Sequence, residues 1–442
     1  MSPIASGSPA ARFPLAARLL AWWQSPRLWM LAASLITRGA GFVSSFVIAR
    51  LSGAAALGVY AATVNTASSV VSPFTQVMTN NATLMASERG PGAGWRAASL
   101  ANLIFSTAAA GLSVIVFASV YGGTLKGHDD LHLDTVWLLL AGACVILGQM
   151  VVAITTGLLN GIGSFLPAAR ITAGVAGLML LAAYPVVATW RLPGAVGLLV
   201  FTSLTPAVLL LGLVAWRMRE GGAGSAAPAG GAWPELFRRT VAGLPSVGAT
   251  LVGATVAWTC TIYLVQRQHG PAGVGVVAVG LQWLTLMLMP ATSWGGVALK
   301  GLLDARAQGP QQLRGARWRL IRRNIGITLA VGLAIAAASP LLSSAYGLGG
   351  SGLATLLCLN VGCAVVAGAN NIHERLMLCL DRQWLWFAFS LVAFGVQLAF
   401  TWVFIGRGLA AVPLGTLSAG CTLWALSAAY VRAALPATEP NP

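Results

Sequence analysis

The chain has 442 residues, 57% hydrophobic and 8% charged, where an ordinary soluble domain is about 25% charged. That composition leaves no room for a soluble catalytic domain. The formal net charge of +16 invites a nucleic-acid surface, but the cations vary in density between successive apolar stretches, which is a membrane-topology pattern.

Residues 1–27 carry Arg12, Arg18 and Arg27 but no separate apolar core with a small-residue cleavage site. They read as a cytoplasmic and interfacial segment, not a cleavable signal. Within it, 15–24, with Trp22 and Trp23, reads as a short helix at the membrane surface. Twelve spans follow, at 29–48, 57–82, 98–120, 136–157, 167–189, 194–215, 241–265, 273–298, 324–345, 352–374, 384–405 and 411–432. They are continuous apolar runs without alternation, which argues against a barrel and predicts an all-α polytopic membrane protein. Connections are short except at 217–237, a glycine-containing cytoplasmic linker, and at 300–323, a basic loop suited to a helix along the membrane. The expected organisation is a six-helix lobe over 28–216, the linker at 217–237, a second six-helix lobe over 238–434 and a tail at 435–442.

With both termini cytoplasmic, 20 of the 26 Lys/Arg fall inside, five in outer loops, and Arg38 lies within span 1. The densest cluster, Arg314, Arg317, Arg319, Arg322 and Arg323, reads as a topology signal at the inner surface. The six cysteines lie within or at the ends of spans, form no CxxC pair, and read as small packing residues.

The chain also repeats itself. Arg50 maps onto Arg267, 217 residues on, and at the same offset Gly53 onto Gly270, Gly58 onto Gly275, Pro73 onto Pro290 and Arg89 onto Arg306. Each half has an even number of spans, so both copies enter from the same side. They are parallel repeats around an axis near the membrane normal, with a cavity between them.

The first copy reads Ala49-Arg50-Leu51-Ser52-Gly53-Ala54-Ala55-Ala56-Leu57-Gly58-Val59-Tyr60, and the second, from Arg267 to Gly275, keeps its glycine spacing. This segment resembles a signature of the polysaccharide (oligosaccharidyl-lipid) flippases of the multidrug/oligosaccharidyl-lipid/polysaccharide exporter superfamily. Ser52 replaces the usual Leu, and Leu57 the usual aromatic. Gly157-Leu158-Leu159-Asn160-Gly161 and Met377-Leu378-Cys379-Leu380-Asp381-Arg382 resemble the family's inner-loop pattern. The resemblance implies alternating access and a polyprenyl-diphosphate-linked saccharide moved across a bacterial inner membrane. It also implies no cofactor, membrane lipids as surroundings, and polymerase or export proteins as partners, with no nucleic acid.

Span 2 carries Asn65, Ser69, Ser72, Gln76, Asn80 and Thr83 on one helical face, suited to a wet cavity or to contact with another helix. Gln149, Gln282 and Asn371 extend the candidate sugar path. Arg38 sits midway through span 1, where an arginine needs a partner or water. Its guanidinium can grip a diphosphate bidentately, with Arg50, Arg267 and Lys300 as helpers, or form a structural ion pair. Glu374 is the acid within reach of a span interior, fitted to a coupling ion or to a local pair with Arg375. Pro73 and Pro290, matched and mid-span, are candidate gating kinks or static bends.

Two rivals stand beside this reading. A multidrug antiporter of the same superfamily would want a carboxylate inside span 1 or span 7, and neither span has one. A membrane glycosyltransferase or polymerase would need an outer acceptor site. The outer loop bearing His128, Asp129, Asp130, His132 and Asp134 is short for that role, and no P-loop, nucleophile elbow or zinc spacing occurs, so no enzyme and no metal are expected.

Overall fold

The computed structural model describes residues 26–89, 93–124, 134–220, 232–293 and 295–434. The interfacial helix expected at 15–24, the loop acids from His128 to His132, the glycine run of the linker and the tail at 435–442 lie outside the described residues. Among the described residues the chain is helical throughout, without strands. In order the helices are α1 (Pro26–Arg89), α2 (Ala93–Thr124), α3 (Thr135–Gly161), α4 (Phe165–Glu220), α5 (Ala232–Thr250), α6 (Trp258–Ser293), α7 (Gly295–Ala307), α8 (Pro310–Ala345), α9 (Leu353–Cys379), α10 (Gln383–Phe404) and α11 (Ala411–Ala434). A π-helical segment, Leu251–Ala257, joins α5 to α6.

Among the described residues, nine helical stretches are long and apolar enough to cross a membrane. Three are too long to cross once. The 64 residues of α1 span about 95 Å at 1.5 Å each, against about 30 Å of hydrocarbon. α1 reverses at Gly53 (φ 85°, ψ 171°), α4 at Arg191 (φ 52°, ψ −134°) and α6 at Gly270 (φ 66°, ψ −174°). Counting those three stretches twice gives twelve crossings.

These reversals differ from the short loops expected between spans 1 and 2, 5 and 6, and 7 and 8. A single residue suffices where glycine, lacking Cβ, enters positive φ at little cost. Arg191 has no such freedom, and its guanidinium donates to the Leu51 carbonyl, tying the second reversal to the first.

Gly53 and Gly270 thus share one conformation 217 residues apart, as their matched positions predict. Five residues further along each copy the halves meet. A Cβ at Gly58 would overlap the Pro271 carbonyl, and a Cβ at Gly275 would overlap that of Ala54. Ala54 and Pro271 are themselves matched, so the contact is reciprocal about the axis of the repeat. Backbone lies on backbone here.

Several expectations need correction. Helix runs to Glu220 and resumes at Ala232, so the outer parts of the expected 217–237 linker are helical. The expected loop at 300–323 is helix on both sides of Gln308 and Gly309, with span 9 continuing a helix that begins at Pro310. Arg317 is not a surface cation but 5% exposed, because the helix that carries it packs on α9. The non-helical residues of α1 and α6 are Gly53 and Gly270; Pro73 and Pro290 keep helical φ/ψ, within which a proline bend is made by the lost hydrogen bond alone.

Within the first half α1 packs on α3 and α4; within the second α9 packs on α6, α8 and α11. The halves join chiefly through α1 and α6. At the Gly53 end this seam includes Ser45 with Gln282 and the edge-to-face pairs Phe42–Trp283 and Phe46–Tyr346.

Candidate functional site

Three cavities follow the second crossing of α1. The largest, about 690 Å³, lies in the first half among α1, α3 and α4. Its polar lining includes Tyr60, Thr75, Thr79, Asn80, Gln149, Thr202 and Ser203, and among the described lining residues there is no Asp, Glu, Lys or Arg. Gln149 Nε2 donates to Ser68 Oγ at 2.7 Å, which fixes the amide against α1. A niche of about 310 Å³ lies between the halves, lined by Asn65, Ser68, Ser69 and Ser72 from α1 and by Gln282 and Thr285 from α6. Thr255, in the π-helical segment, donates to the Ser69 carbonyl at 2.7 Å and closes one side.

The third cavity, about 430 Å³, is a cleft where the Arg89 end of α1 faces α5, α9 and α10. Asn80, Asn81, Arg239, Glu374, Arg375, Gln383 and Trp386 are among its walls. Asn80 belongs both to this cleft and to the large cavity. The fifteen steps from Asn65 to Asn80 rise about 22 Å, so one helical face touches all three spaces over most of the hydrocarbon depth.

The members of the expected stripe have different fates. Asn65, Ser69 and Ser72 line the niche, and Asn80 the other two cavities. Thr83 turns back to the Thr79 carbonyl at 2.8 Å. Gln76 and Lys300 lie on α1 and α7, with side chains outside the described set. Gln282 uses Nε2 on Ser45 Oγ at 2.5 Å, a bond across the halves, and keeps Oε1 buried without a partner. Asn371 is half-buried with Oδ1 unpartnered, whereas Asn360 on the same helix donates to the Gly280 carbonyl at 2.7 Å and serves as helix glue.

The expected cations are not brought together. Arg38 is half-buried, forms no hydrogen bond or salt bridge with a described residue, and has Nη1 shielded without a partner. Its structural ion pair is therefore absent among the described residues. Neighbouring Thr37 and Gly41 line the large cavity. Arg50 and Arg267 are both exposed near the Gly53 and Gly270 reversals, Arg50 lying against Gly347. Glu374 and Arg375 both line the cleft and attract each other, without a hydrogen bond or salt bridge between them.

Two constellations escaped the sequence reading. At the Arg89 end, Arg89 meets Glu235 at 2.8 Å, and Arg239 meets both Glu88 and Glu235 at 2.6 Å, joining α1 to α5. Hydrogen bonds from Arg89 and Arg239 hold the Glu235 carboxyl below its ordinary range, and the bond to Glu88 raises Arg239. Opposite charges at the ends of spans 2 and 7 were the available signal. The second is buried: Arg317 Nη2 donates to His373 Nε2 at 2.9 Å, and His373 Nδ1 meets Ser427 Oγ at 2.5 Å. Because the guanidinium only donates, Nε2 must accept, so the ring is neutral with its proton on Nδ1. Ser427 Oγ then donates onward to the Trp424 carbonyl at 3.0 Å.

No family model and no curated protein matches the chain. Solved structures do. One is the outward-facing form of a multidrug resistance MATE family transporter of the MOP superfamily, 15% identical, covering 94% of this chain and 98% of that one, with a TM-score of 0.65. A mutant Vibrio cholerae MATE transporter is 16% identical over 95% and 98%, at 0.63. A Pyrococcus furiosus MOP superfamily transporter, described as having a binding pocket of reversed polarity, is 14% identical over 92% and 96%, at 0.60. At such identities the likeness is one of fold: this chain has the fold of the MOP superfamily transporters.

Proposed function

We propose that the protein is an alternating-access flippase carrying a polyprenyl-diphosphate-linked saccharide from the cytoplasmic to the outer leaflet of a bacterial inner membrane. The observation that carries this reading is the uncharged polar face of α1, running about 22 Å from Asn80 to Asn65 past three cavities. Sugar hydroxyls need many donors and acceptors, which Asn65, Ser69, Asn80, Gln149 and their neighbours supply. Arg38, half-buried without a partner among the described residues and flanked by Thr37 and Gly41 of the large cavity, supplies a guanidinium for the diphosphate. Arg50 and Arg267 stand at the outer rim in this orientation, where they would meet the headgroup late in its passage. Polysaccharide polymerases or exporters would take up the product.

Multidrug antiport is the second reading, favoured by how the similar structures are described. It wants a carboxylate inside span 1 or span 7, and neither span has one, nor do the described residues that line the large cavity. A deletion strain fed labelled sugar separates the two. Complete lipid-linked units should build up on the cytoplasmic leaflet, relieved by wild type, in part by Arg38→Lys, and not by Arg38→Ala. Unchanged lipid-linked glycans, or full rescue by well-expressed Arg38→Ala, would sink the respective claims.

A further inference from the structure

The cleft at the Arg89 end holds a charge arrangement that the proposed passage does not explain. Glu374 and Arg375 are adjacent on α9, both half-buried and both lining the cleft. The two charges attract each other, yet neither forms a hydrogen bond or a salt bridge with the other or with another described residue, and Arg375 Nε is shielded without a partner. Half-buried charges that attract each other but keep their hydrogen-bonding capacity free are available to a polar ligand in the cleft. Arg239, across the cleft, is already held by Glu88 and Glu235.

The pair of signs restricts the ligand. A cationic drug or a coupling cation would satisfy Glu374 and repel Arg375. A diphosphate would satisfy Arg375 and set its own charge against Glu374. A neutral polyol satisfies both, because each hydroxyl offers one donor to the carboxylate and two lone pairs to the guanidinium. Asn80 and Gln383 add planar amides, with donor and acceptor side by side as neighbouring hydroxyls require, while the buried Asn81 amide is committed to Thr240 Oγ1. Trp386 adds an indole, an apolar face for the C–H side of a sugar ring. The volume, about 430 Å³, is that of a small-ligand site.

We infer that this cleft is a saccharide-recognition site, in which Glu374 and Arg375 together read the hydroxyls of a neutral sugar against Trp386. It rests on the flippase reading only in taking that sugar to be the head of the cargo. Asn80 and Asn81 come from one half of the fold and the remaining groups from the other, so sugar binding would also draw the halves together at this end.

The test is thermal unfolding of the purified full-length protein with a panel of free neutral mono- and disaccharides at millimolar concentration. Sodium chloride, pyrophosphate and glycine stand in for the rival chemistries. At least one neutral saccharide should raise Tm saturably, and Glu374→Ala and Trp386→Leu should each weaken its apparent Kd at least tenfold. General stabilisation by excluded sugar does not saturate and would persist in both variants. If either variant fails to fold, Glu374→Gln and Trp386→Phe replace them, with weakening of at least threefold expected. The inference falls if no saccharide binds saturably, if the variants bind as wild type does, or if pyrophosphate or glycine gives the Glu374-dependent shift instead. Saccharide binding with unchanged cellular lipid-linked glycans would overturn the flippase reading and leave this site standing. Normal translocation by variants with unaltered binding would do the reverse.

Discussion

Replacing Gly58 with alanine should push the two halves apart at the Gly53 end. The added methyl would meet backbone only: the Pro271 carbonyl and, at 3.1 Å, the Gly275 nitrogen. Backbone cannot rotate aside as a side chain tip can, so the helices themselves must separate. Overpacking of this kind costs about 1–3 kcal/mol. Charged to the closed arrangement alone, that lowers the ratio of closed to open molecules about 5- to 150-fold. Spin labels at Arg50→Cys and Arg267→Cys, both exposed, in a background lacking the six native cysteines, would report the separation by pulsed dipolar spectroscopy. Gly58→Ala should move population to longer distances, and Gly275→Ala should do the same because the contact is reciprocal. Gly111→Ala, whose methyl would meet nothing within 4 Å, should leave the distribution as in wild type. A folded Gly58→Ala protein with the wild-type distribution would refute the argument.

Two further outcomes concern stability. Glu235 has its carboxyl depressed below the ordinary 4.5 by Arg89 and Arg239. A depressed acid contributes fully above its unfolded value and loses that contribution as pH falls through the folded one. Glu235→Gln should therefore lower stability by about 1 kcal/mol at pH 7, and its Tm gap to wild type should close below pH 4.5; a gap that does not change with pH would contradict this. His373→Ala removes the acceptor from buried Arg317 and should cost about 2–3 kcal/mol. His373→Gln, with an amide oxygen for Arg317 and a donor for Ser427, should recover part, and an unchanged Tm in His373→Ala would show that water already satisfies the guanidinium.

How much of this was legible depends on the range of the interaction. Crossings follow from local hydropathy, so their number and approximate places could be read along the chain. The matched glycines could be read because a required backbone conformation constrains residue type, as Gly53 and Gly270 illustrate. Arg191 could not: nothing local marks an arginine at φ 52°, and its support comes from Leu51, 140 residues away. Arg317 looked like one more cation of a basic loop, because its burial depends on α9 bringing His373 beneath it. The polar face of span 2 was evident from its spacing. That Gln282 would reach across to Ser45, and that Glu374 and Arg375 would share a cleft with Asn80 and Arg239, are facts of packing between distant segments.

The three one-residue reversals also determine how the molecule looks from outside. At the end that bears them, Gly53, Arg191 and Gly270 each replace a loop, and the turn from Tyr346 to Gly352 keeps Leu348 buried. Among the described residues, these three connections leave little chain for an antibody, a protease or an inserted epitope tag to engage. An insertion at any of the three would prise apart two crossings that now run as one element, so silent labelling sites must be sought elsewhere. At these three points the described surface is made of helix ends.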